Sequence, residues 1–462
     1  ENDPLRKKDP FMPLSLAILA SVAPGHNYQL VDLLWEDLTY DEPADIVGIS
    51  IRMSAEKEAF RIADRFREKG ILVVLGGPQA SANPFESKKH ADSVVIGEGE
   101  KLWPLLLNDY ENGCLKDFYV CSPELFDSKG HSVFQLEHLP ELSELPKPFR
   151  NLFKRKYTFD MVFASRGCPI NCDFCSVSNL FGKKYRFKPV EDVVNEINSF
   201  RNYYYLIDDT VFGRPSTYNY YLSLYEKIAQ LPKKRYWTGQ ANLDAASNET
   251  GRKVIRKAVK SGLVYVAVGM ESINEKVLKQ SGSYSKMGFR NGEDVIAKMK
   301  QNIRFIQEQG IMISGWFALG YEDDDLDTWY RTFDFCMEMS LMPVFTPVNA
   351  LKGTSLYTRL HDENKLQDNA GNLTNIPHHS MTNHQVMEAL DFVAKKGYSL
   401  SVIIRRTWFY TRMISRSKGN SINDIIHKTI FNFITQIRVG KIVRSENERL
   451  RMKLIQKKEK DV

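Results

Sequence analysis

Cys168, Cys172 and Cys175 stand in the run Arg166-Gly167-Cys168-Pro169-Ile170-Asn171-Cys172-Asp173-Phe174-Cys175. Three thiolates at x3 and x2 spacing on one loop can each bind a different iron of a cubane [4Fe–4S] cluster. Such clusters usually take four cysteines. With three, one iron keeps an open position, so the spacing predicts chemistry at the metal rather than electron carriage alone. The alternative is a zinc site completed from elsewhere in the chain. Structural zinc sites usually use two separated cysteine pairs, and no second pair occurs here. Cys114, Cys121 and Cys336 are scattered, which suggests neither a disulfide framework nor a second cluster. A reduced, cytoplasmic location is the expectation.

The elements that must position this loop form two alternating series. In the first, Pro13–Val22 reads as an apolar helix, Tyr28–Leu34 and Asp45–Ile51 as strands, and Ala55–Lys69 as an amphipathic helix with Phe60, Ile62, Ala63 and Phe66 at helical spacing. Ile71–Leu75 is a strand running into Gly76-Gly77-Pro78, and Ser93–Ile96 one running into Gly97-Glu98-Gly99-Glu100. Continuous apolar strands between helices imply a parallel sheet covered on both faces. Residues 111–157 show no steady period and carry Pro140, Pro146 and Pro148, so they read as a linker. In the second series, strands are expected at Met161–Ala164, Tyr203–Ile207, Tyr236–Gln240, Val264–Gly269, Ile311–Leu319 and Val344–Ala350, with helices between them. Six such units predict a partial (β/α)6 barrel, since a closed one needs eight. Residues 384–462 read as mainly helical. The expected fold is therefore α/β: a Rossmann-like parallel-sheet domain (1–110), a linker (111–157), a partial barrel (158–360) and a C-terminal helical region (361–462).

Of the 462 residues, 43% are hydrophobic and 26% charged, as in globular proteins. No apolar run reaches the roughly 18 residues that a membrane span needs. The net charge of +6 is mild. Much of it gathers in the tail, at Arg438, Lys441, Arg444, Arg449, Arg451, Lys453, Lys457, Lys458 and Lys460. That tail reads either as a solvated helix face or as a surface for an anionic partner such as membrane lipid; nucleic acid is not the expected partner.

The Cys-x3-Cys-x2-Cys spacing, the aromatic Phe174 before the last cysteine and the preceding Arg-Gly-Cys resemble the radical S-adenosylmethionine (SAM) enzymes, a resemblance that makes Phe174 a candidate SAM contact. The stretch Gly182-Lys183-Lys184-Tyr185-Arg186-Phe187-Lys188-Pro189-Val190-Glu191-Asp192-Val193 is similar to the subgroup with an N-terminal cobalamin-binding domain, and the resemblance spans roughly residues 13–415. It implies three cofactors: a [4Fe–4S] cluster on the three cysteines, SAM and cobalamin. It also implies an external electron donor such as flavodoxin or ferredoxin. In the family, SAM binds the open iron and yields a 5′-deoxyadenosyl radical on reduction. Asp208 and Asp209 follow the second barrel strand, where the family binds the SAM amino group; the pair also reads as an acid/base pair, a metal site or a solvated turn. Glu271 resembles a recurring SAM-contacting glutamate, or satisfies helix amides. Gly315 and Gly320 frame the fifth strand, where adenine could lie against bare backbone, or where the chain simply turns. Gly353-Thr354 resembles a family Pro-Gly-Thr element, with Lys352 in place of Pro.

In the N-terminal domain the candidate cobalamin contacts are Ser50, Gly76, Gly77, Pro78, Gly97 and Glu98, at strand ends where ligands of such sheets sit. The family's first strand would precede Pro13, so this sheet is expected either to lack it or to depart from the family there. The Asp-x-His-x-x-Gly motif that supplies a histidine to cobalt in other proteins is absent, and His26 and His90 do not replace it by spacing. Any bound cobalamin should therefore lack a histidine below the ring; the rival reading is a domain kept for structure alone. His378, His379 and His384 could line a substrate mouth, or belong to a solvated loop. No catalytic residue is assigned. The expected function is methylation of an unactivated carbon on a small, apolar or ring-shaped substrate. Cyclisation, rearrangement or oxidation with the same cofactors is the alternative. A zinc-stabilised nucleic-acid-binding protein is the rival from another class. A methylthiotransferase fits poorly, because no cysteine precedes Cys114 and the tail reads as helix.

Overall fold

A computed structural model describes residues 11–52, 55–122, 124–289, 293–367, 373–376, 380–417 and 419–458. Helix α1 (Leu14–Val22) leads to a parallel sheet of β1 (Ile46–Ser50), β2 (Leu72–Gly76), β3 (Ser93–Ile96), β4 (Phe118–Cys121) and β5 (Val133–Leu136), in that order across the sheet. Helices α2 (Glu56–Glu68), α3 (Gly77–Ala82), α4 (Pro84–Lys89) and α5 (Leu102–Glu111) connect the strands. Alternate strand residues feed two cores. Val73, Leu75 and Val94 pack with α2, while Val74 and Val95 pack with α5. That is the double covering expected of a parallel sheet.

Two expectations need correction here. Tyr28–Leu34 forms no strand. The Asp32 carboxylate accepts from the Leu34 N–H at 3.1 Å and the Asp32 carbonyl from the Trp35 N–H at 2.8 Å, which turns the chain. The apolar run instead buries Leu30 with Met12, Ala17 and Phe153. The stretch read as a linker holds β4 and β5, which complete the sheet. The strand Phe-Tyr-Val-Cys is only four residues long, though all four are buried, and the prolines that suggested a linker come after β5.

The second sheet has the parallel order β13-β12-β11-β10-β9-β6, from β6 (Asp160–Val162), β9 (Tyr203–Leu206), β10 (Tyr236–Ala241), β11 (Leu263–Glu271), β12 (Met312–Leu319) and β13 (Met342–Pro347). A short antiparallel pair, β7 (Ser165–Arg166) and β8 (Arg186–Phe187), flanks the cysteine loop, with α6 (Val177–Phe181) between them. Helices α7 (Val190–Asn198), α8 (Tyr218–Ala229) and α9 (Glu249–Lys260) follow β8, β9 and β10, α10 (Glu275–Gln280) and α11 (Val295–Glu308) both follow β11, and α12 (Leu326–Glu338) follows β12. The last strand begins two residues earlier than its apolar run suggested. The strand alternation again sorts side chains. Val266 and Val268 join the core beneath the outer helices, whereas Tyr265 and Ala267 face the inner side.

After α13 (Ser355–Asp362), the chain forms α14 (Asn383–Gly397), α15 (Leu400–Arg416) and α16 (Ile422–Lys458). These close the inner face where the strands begin: Tyr398, Tyr410 and Val443 pack with Tyr265, Met312 and Met342. Among the described residues, no helix is long and apolar enough to cross a membrane.

Candidate active site

The cysteine loop begins where β6 ends, and Asp208 fixes that exit. One Asp208 oxygen accepts from the Ala164 and Ser165 N–H groups at 2.7 and 3.1 Å; the other accepts from Ser165 Oγ and Tyr221 OH at 3.0 and 2.8 Å. Burial pushes this carboxyl up, against those donors. Its acceptor sites are filled by protein, so Asp208 braces the loop rather than facing a ligand. Asp209 is half-buried. Burial, then the neighbouring Asp208, raises it to about 7, while the Gly167 N–H opposes the shift.

Gly167, at φ +95°, starts the loop; a Cβ there would lie 2.2 Å from the Lys184 carbonyl oxygen, so only glycine allows this approach. The Cys168 N–H then donates to the Gly182 carbonyl at 3.1 Å, and the Asp173 N–H to that of Ser281 at 2.9 Å. Tyr321 OH donates to the Asp173 carboxylate at 2.8 Å, and the Leu356 N–H to the Asp173 carbonyl at 2.9 Å. Anchors from β7–β8, α10, β12 and α13 thus hold one ten-residue segment. Phe174 meets Tyr321 edge-on with ring centroids 6.5 Å apart, which makes it part of the loop's packing.

Burial raises all three thiols, Cys172 to about 12. Lys286 works against that rise at each of them. Burial also disfavours its ammonium, but Glu271 and Cys172 outweigh this and hold its pKa above the usual lysine value. Glu271 pairs directly with Lys286 and sits at φ +60°, where β11 slips register against β12. Sequence reasoning placed Glu271 at the strand end but missed Lys286, which no local motif marks.

The Tyr185 hydroxyl is buried without a hydrogen-bond partner, within the electrostatic reach of Cys168, Arg214, Asp244 and Asp209. A buried orphan of this kind costs free energy unless a ligand satisfies it. Beside it a cavity of about 450 Å³ is lined by Arg214, Tyr218, Asp244, Asn248, Phe289 and Lys298. Asp244 is raised to about 6 by burial, which the Arg214 guanidinium 3.4 Å away opposes. On the inner face, Gln240, Trp316 and Thr346 are exposed, Trp316 by 45%. Strand alternation alone could have put these three on the inside.

Gly320 caps its strand at φ +101°, with its N–H on the Asp324 carboxylate at 2.9 Å. Gly315 is turned the other way: a Cβ would meet Phe317, Leu341 and Met270 in the outer core. It therefore serves helix–sheet packing rather than an adenine contact. His384 is exposed beside Glu388, and His378 and His379 lie outside the described residues.

In the N-terminal sheet Ser50, Gly76, Gly77, Pro78, Gly97 and Glu98 share the edge where β1, β2 and β3 end. Gly77 (φ +88°) and Gly97 (φ +82°) are required by close packing, against Ser50 and Ile51 and against the Cys121 carbonyl respectively. Glu98 is not open to a ligand. Its fully buried carboxylate pairs with Arg166 at 2.5 Å and with Arg186, while Arg166 also pairs with Glu100 at 2.5 Å. Lys352 reaches Asn83 at 3.4 Å. The strand-end edges of the two sheets therefore face each other, joined next to the cysteines. His90 is stacked on Phe60 at 4.2 Å and bonded to Asp64 at 2.9 Å, away from that edge.

The residues fit a cluster better than zinc. Among the described residues no three His, Cys, Asp or Glu side chains converge as the shell of a single ion. A tetrahedral zinc site needs that convergence at about 2.0–2.3 Å; a cubane does not, because each thiolate binds its own iron.

Residues 162–332 match the family model of the radical SAM superfamily. Over 364 residues the chain is 28% identical to bacteriochlorophyllide d C-8(2)-methyltransferase of Chlorobaculum tepidum, covering 75% of this chain and 76% of that one. The fold is similar to that of the cobalamin-dependent SAM radical enzyme OxsB, solved with aqua-cobalamin and SAM bound (TM-score 0.63, 15% identity, 99% of this chain and 79% of that one). It is also similar to that of TsrM from Kitasatospora setae, a radical SAM methyltransferase solved with cobalamin and a [4Fe–4S] cluster (TM-score 0.60, 15% identity, 79% and 76%).

Proposed function

We propose that this chain is a radical SAM enzyme that uses SAM and cobalamin to methylate an unactivated carbon of a small, apolar or ring-shaped substrate. The observation that carries this reading is the junction at Glu98. It ties the strand ends of the N-terminal sheet to the loop of Cys168, Cys172 and Cys175, so groups bound at the two edges would lie near each other. The relative from Chlorobaculum tepidum, a methyltransferase of a ring-shaped substrate, supports the choice of reaction.

When bound, the cluster supplies the electron that cleaves SAM to a carbon-centred radical, and cobalamin supplies the methyl carrier. Cys168, Cys172 and Cys175 would hold three irons. Asp209, Glu271 and the Tyr185 hydroxyl would take the polar ends of SAM. Lys286 neutralises thiolate charge in a buried setting. Ser50, Gly76, Gly77 and Pro78 would hold cobalamin, with no protein histidine on cobalt. Trp316 offers an apolar plane inside the barrel. Electrons would come from a flavodoxin or ferredoxin, in a reducing cytoplasm.

The test is anaerobic reconstitution followed by measurement of iron, sulfide and cobalamin per chain, then turnover with methyl-labelled SAM. The reading expects both cofactors bound, and S-adenosylhomocysteine and 5′-deoxyadenosine in equal amounts with each labelled product. Absence of cobalamin, or 5′-deoxyadenosine without labelled product on the true substrate, refutes it.

A further inference from the structure

The C-terminal helices carry an apolar surface that the barrel does not use. On α15, Leu400, Ile404 and Trp408 recur every four residues and are 65%, 54% and 64% exposed. On α16, Ile422, Ile426, Ile430 and Ile434 repeat that spacing at 70%, 50%, 53% and 44% exposure. The two helices run antiparallel. Thr411 bonds Thr429 at 3.0 Å and Gln436 bonds Thr407 at 2.9 Å, so the exposed faces lie side by side. Isolated surface isoleucines need no explanation, but a two-helix apolar face does.

The charge around this face is one-sided. Arg405, Arg412 and Arg416 on α15 and Arg438, Lys441 and Arg444 on α16 are all exposed. Between residues 392 and 445 the only acidic residue is Asp424. It is 7% exposed and already accepts from Lys234 and Tyr236 beneath the helix. The nearest acidic groups on α11 and α12, Glu308 and Glu338, lie on the other flank of α15, beside Phe409 and Met413. A second copy of the chain would set these six cations against themselves. An anionic surface with an apolar interior matches both features, since apolar area and basic side chains add in interfacial binding.

We propose that the α15–α16 face docks this protein onto an anionic lipid bilayer, lying in the interface rather than crossing it. The face is remote from the cysteine loop, and the inference does not depend on the reaction proposed above.

The test is co-sedimentation of the reconstituted full chain with vesicles of phosphatidylglycerol and phosphatidylcholine in equal parts, and with phosphatidylcholine alone. Binding is expected to the anionic vesicles and to fall with added salt. Arg405→Gln with Arg412→Gln should weaken it about 25-fold, at roughly fivefold per basic residue near the surface. Ile404→Ser with Trp408→Ser should weaken it at least about tenfold, because less apolar area enters the interface. All four positions are exposed, so circular dichroism and the melting temperature should stay unchanged; should the serine variant unfold, the arginine variant alone decides. No binding to the anionic vesicles, or binding that ignores lipid charge and survives the arginine substitutions, overturns the proposal. So does a dimer, seen by analytical ultracentrifugation, that Trp408→Ser dissociates while vesicles capture nothing.

Discussion

Glu98→Ala should be among the most damaging single changes outside the cysteines. The side chain is fully buried between two guanidinium groups whose own side chains are only 14% and 12% exposed. Its loss leaves Arg166 with Glu100. Among the described residues Arg186 is left with the carbonyls of Pro140 and Phe181, at 2.7 and 3.1 Å. Unlike-charge attraction near 4 Å is about 4 kcal/mol at an effective dielectric constant near 20, and removing one partner of a buried pair costs about 3–5 kcal/mol. The two routes agree, so we expect destabilisation of about 3–5 kcal/mol. Urea unfolding of the apoprotein, followed by tryptophan fluorescence, measures it. A double-mutant cycle with Arg186→Met separates the pair from general disruption. The coupling between the two sites should exceed about 1 kcal/mol, as expected of contacting charged residues. A Glu98→Ala cost below about 1 kcal/mol, the range of exposed ion pairs, would refute the picture of a desolvated junction. Iron loading gives a second readout. Arg166 is two residues from Cys168, so loosening it should lower cluster occupancy even in variant protein that remains folded.

Cys172→Ala should abolish the brown absorption of the reconstituted protein and all SAM cleavage, whereas Cys114→Ser should leave both intact; visible spectra and iron assay decide. Tyr185→Phe removes only a hydroxyl that lacks a partner, so apoprotein stability should hold or rise. SAM affinity by calorimetry should fall about fivefold, the worth of one hydrogen bond of roughly 1 kcal/mol; a fall in stability with unchanged affinity would contradict this role. Burial opposes ionisation of Asp424, but Lys234, Tyr236 and Ser421 prevail and hold its carboxyl well below the usual range. A depressed folded-state value stabilises above the unfolded pKa of about 3.9 and is lost as pH falls through and below it. The melting temperature of the parent protein should therefore drop more steeply below pH ~4 than that of Asp424→Asn.

The cysteine loop was legible because its chemistry is written in ten consecutive residues, and the strands because buried parallel strands are contiguous apolar runs. What escaped is long-range. Glu98 stands at a strand end, where ligands sit, and its type suits a ligand; only the fold shows it paired with residues 68 and 88 positions away. Asp208 looks like half of a reactive pair until four donors surround it. Lys286 lies in a single 3-10 turn, Tyr284–Met287, that carries no motif. Gly315 shows the limit of composition: lack of a side chain permits close approach, but strand phase decides from which side. The strand expected at Tyr28–Leu34 failed for a related reason. Of its apolar residues Leu30 is buried while Leu33 is exposed, and Asp32 turns the backbone away from any ladder.

Helix α16 bears on the barrel in a further way. A closed barrel fixes its own curvature through a complete ring of strand-to-strand hydrogen bonds; six strands form only an arc. The 37 residues of α16 span about 55 Å. Near its start, Asp424 and Phe431 hold Tyr236 and Tyr203, at the first residues of β10 and β9. Farther along, Asn447 bonds Asp391 of α14 at 3.3 Å, and Tyr398, which follows α14, bonds the Pro343 carbonyl of β13 at 2.8 Å. In mechanical terms the helix is a chord tied near both ends of the arc. It sets how far the arc can spread, and with it the width of the chamber in which Gln240, Trp316 and Thr346 stand. Stiffness that the missing strands cannot provide is supplied from outside the repeat, so chamber width can be altered from the helix without touching a residue that meets the reactants.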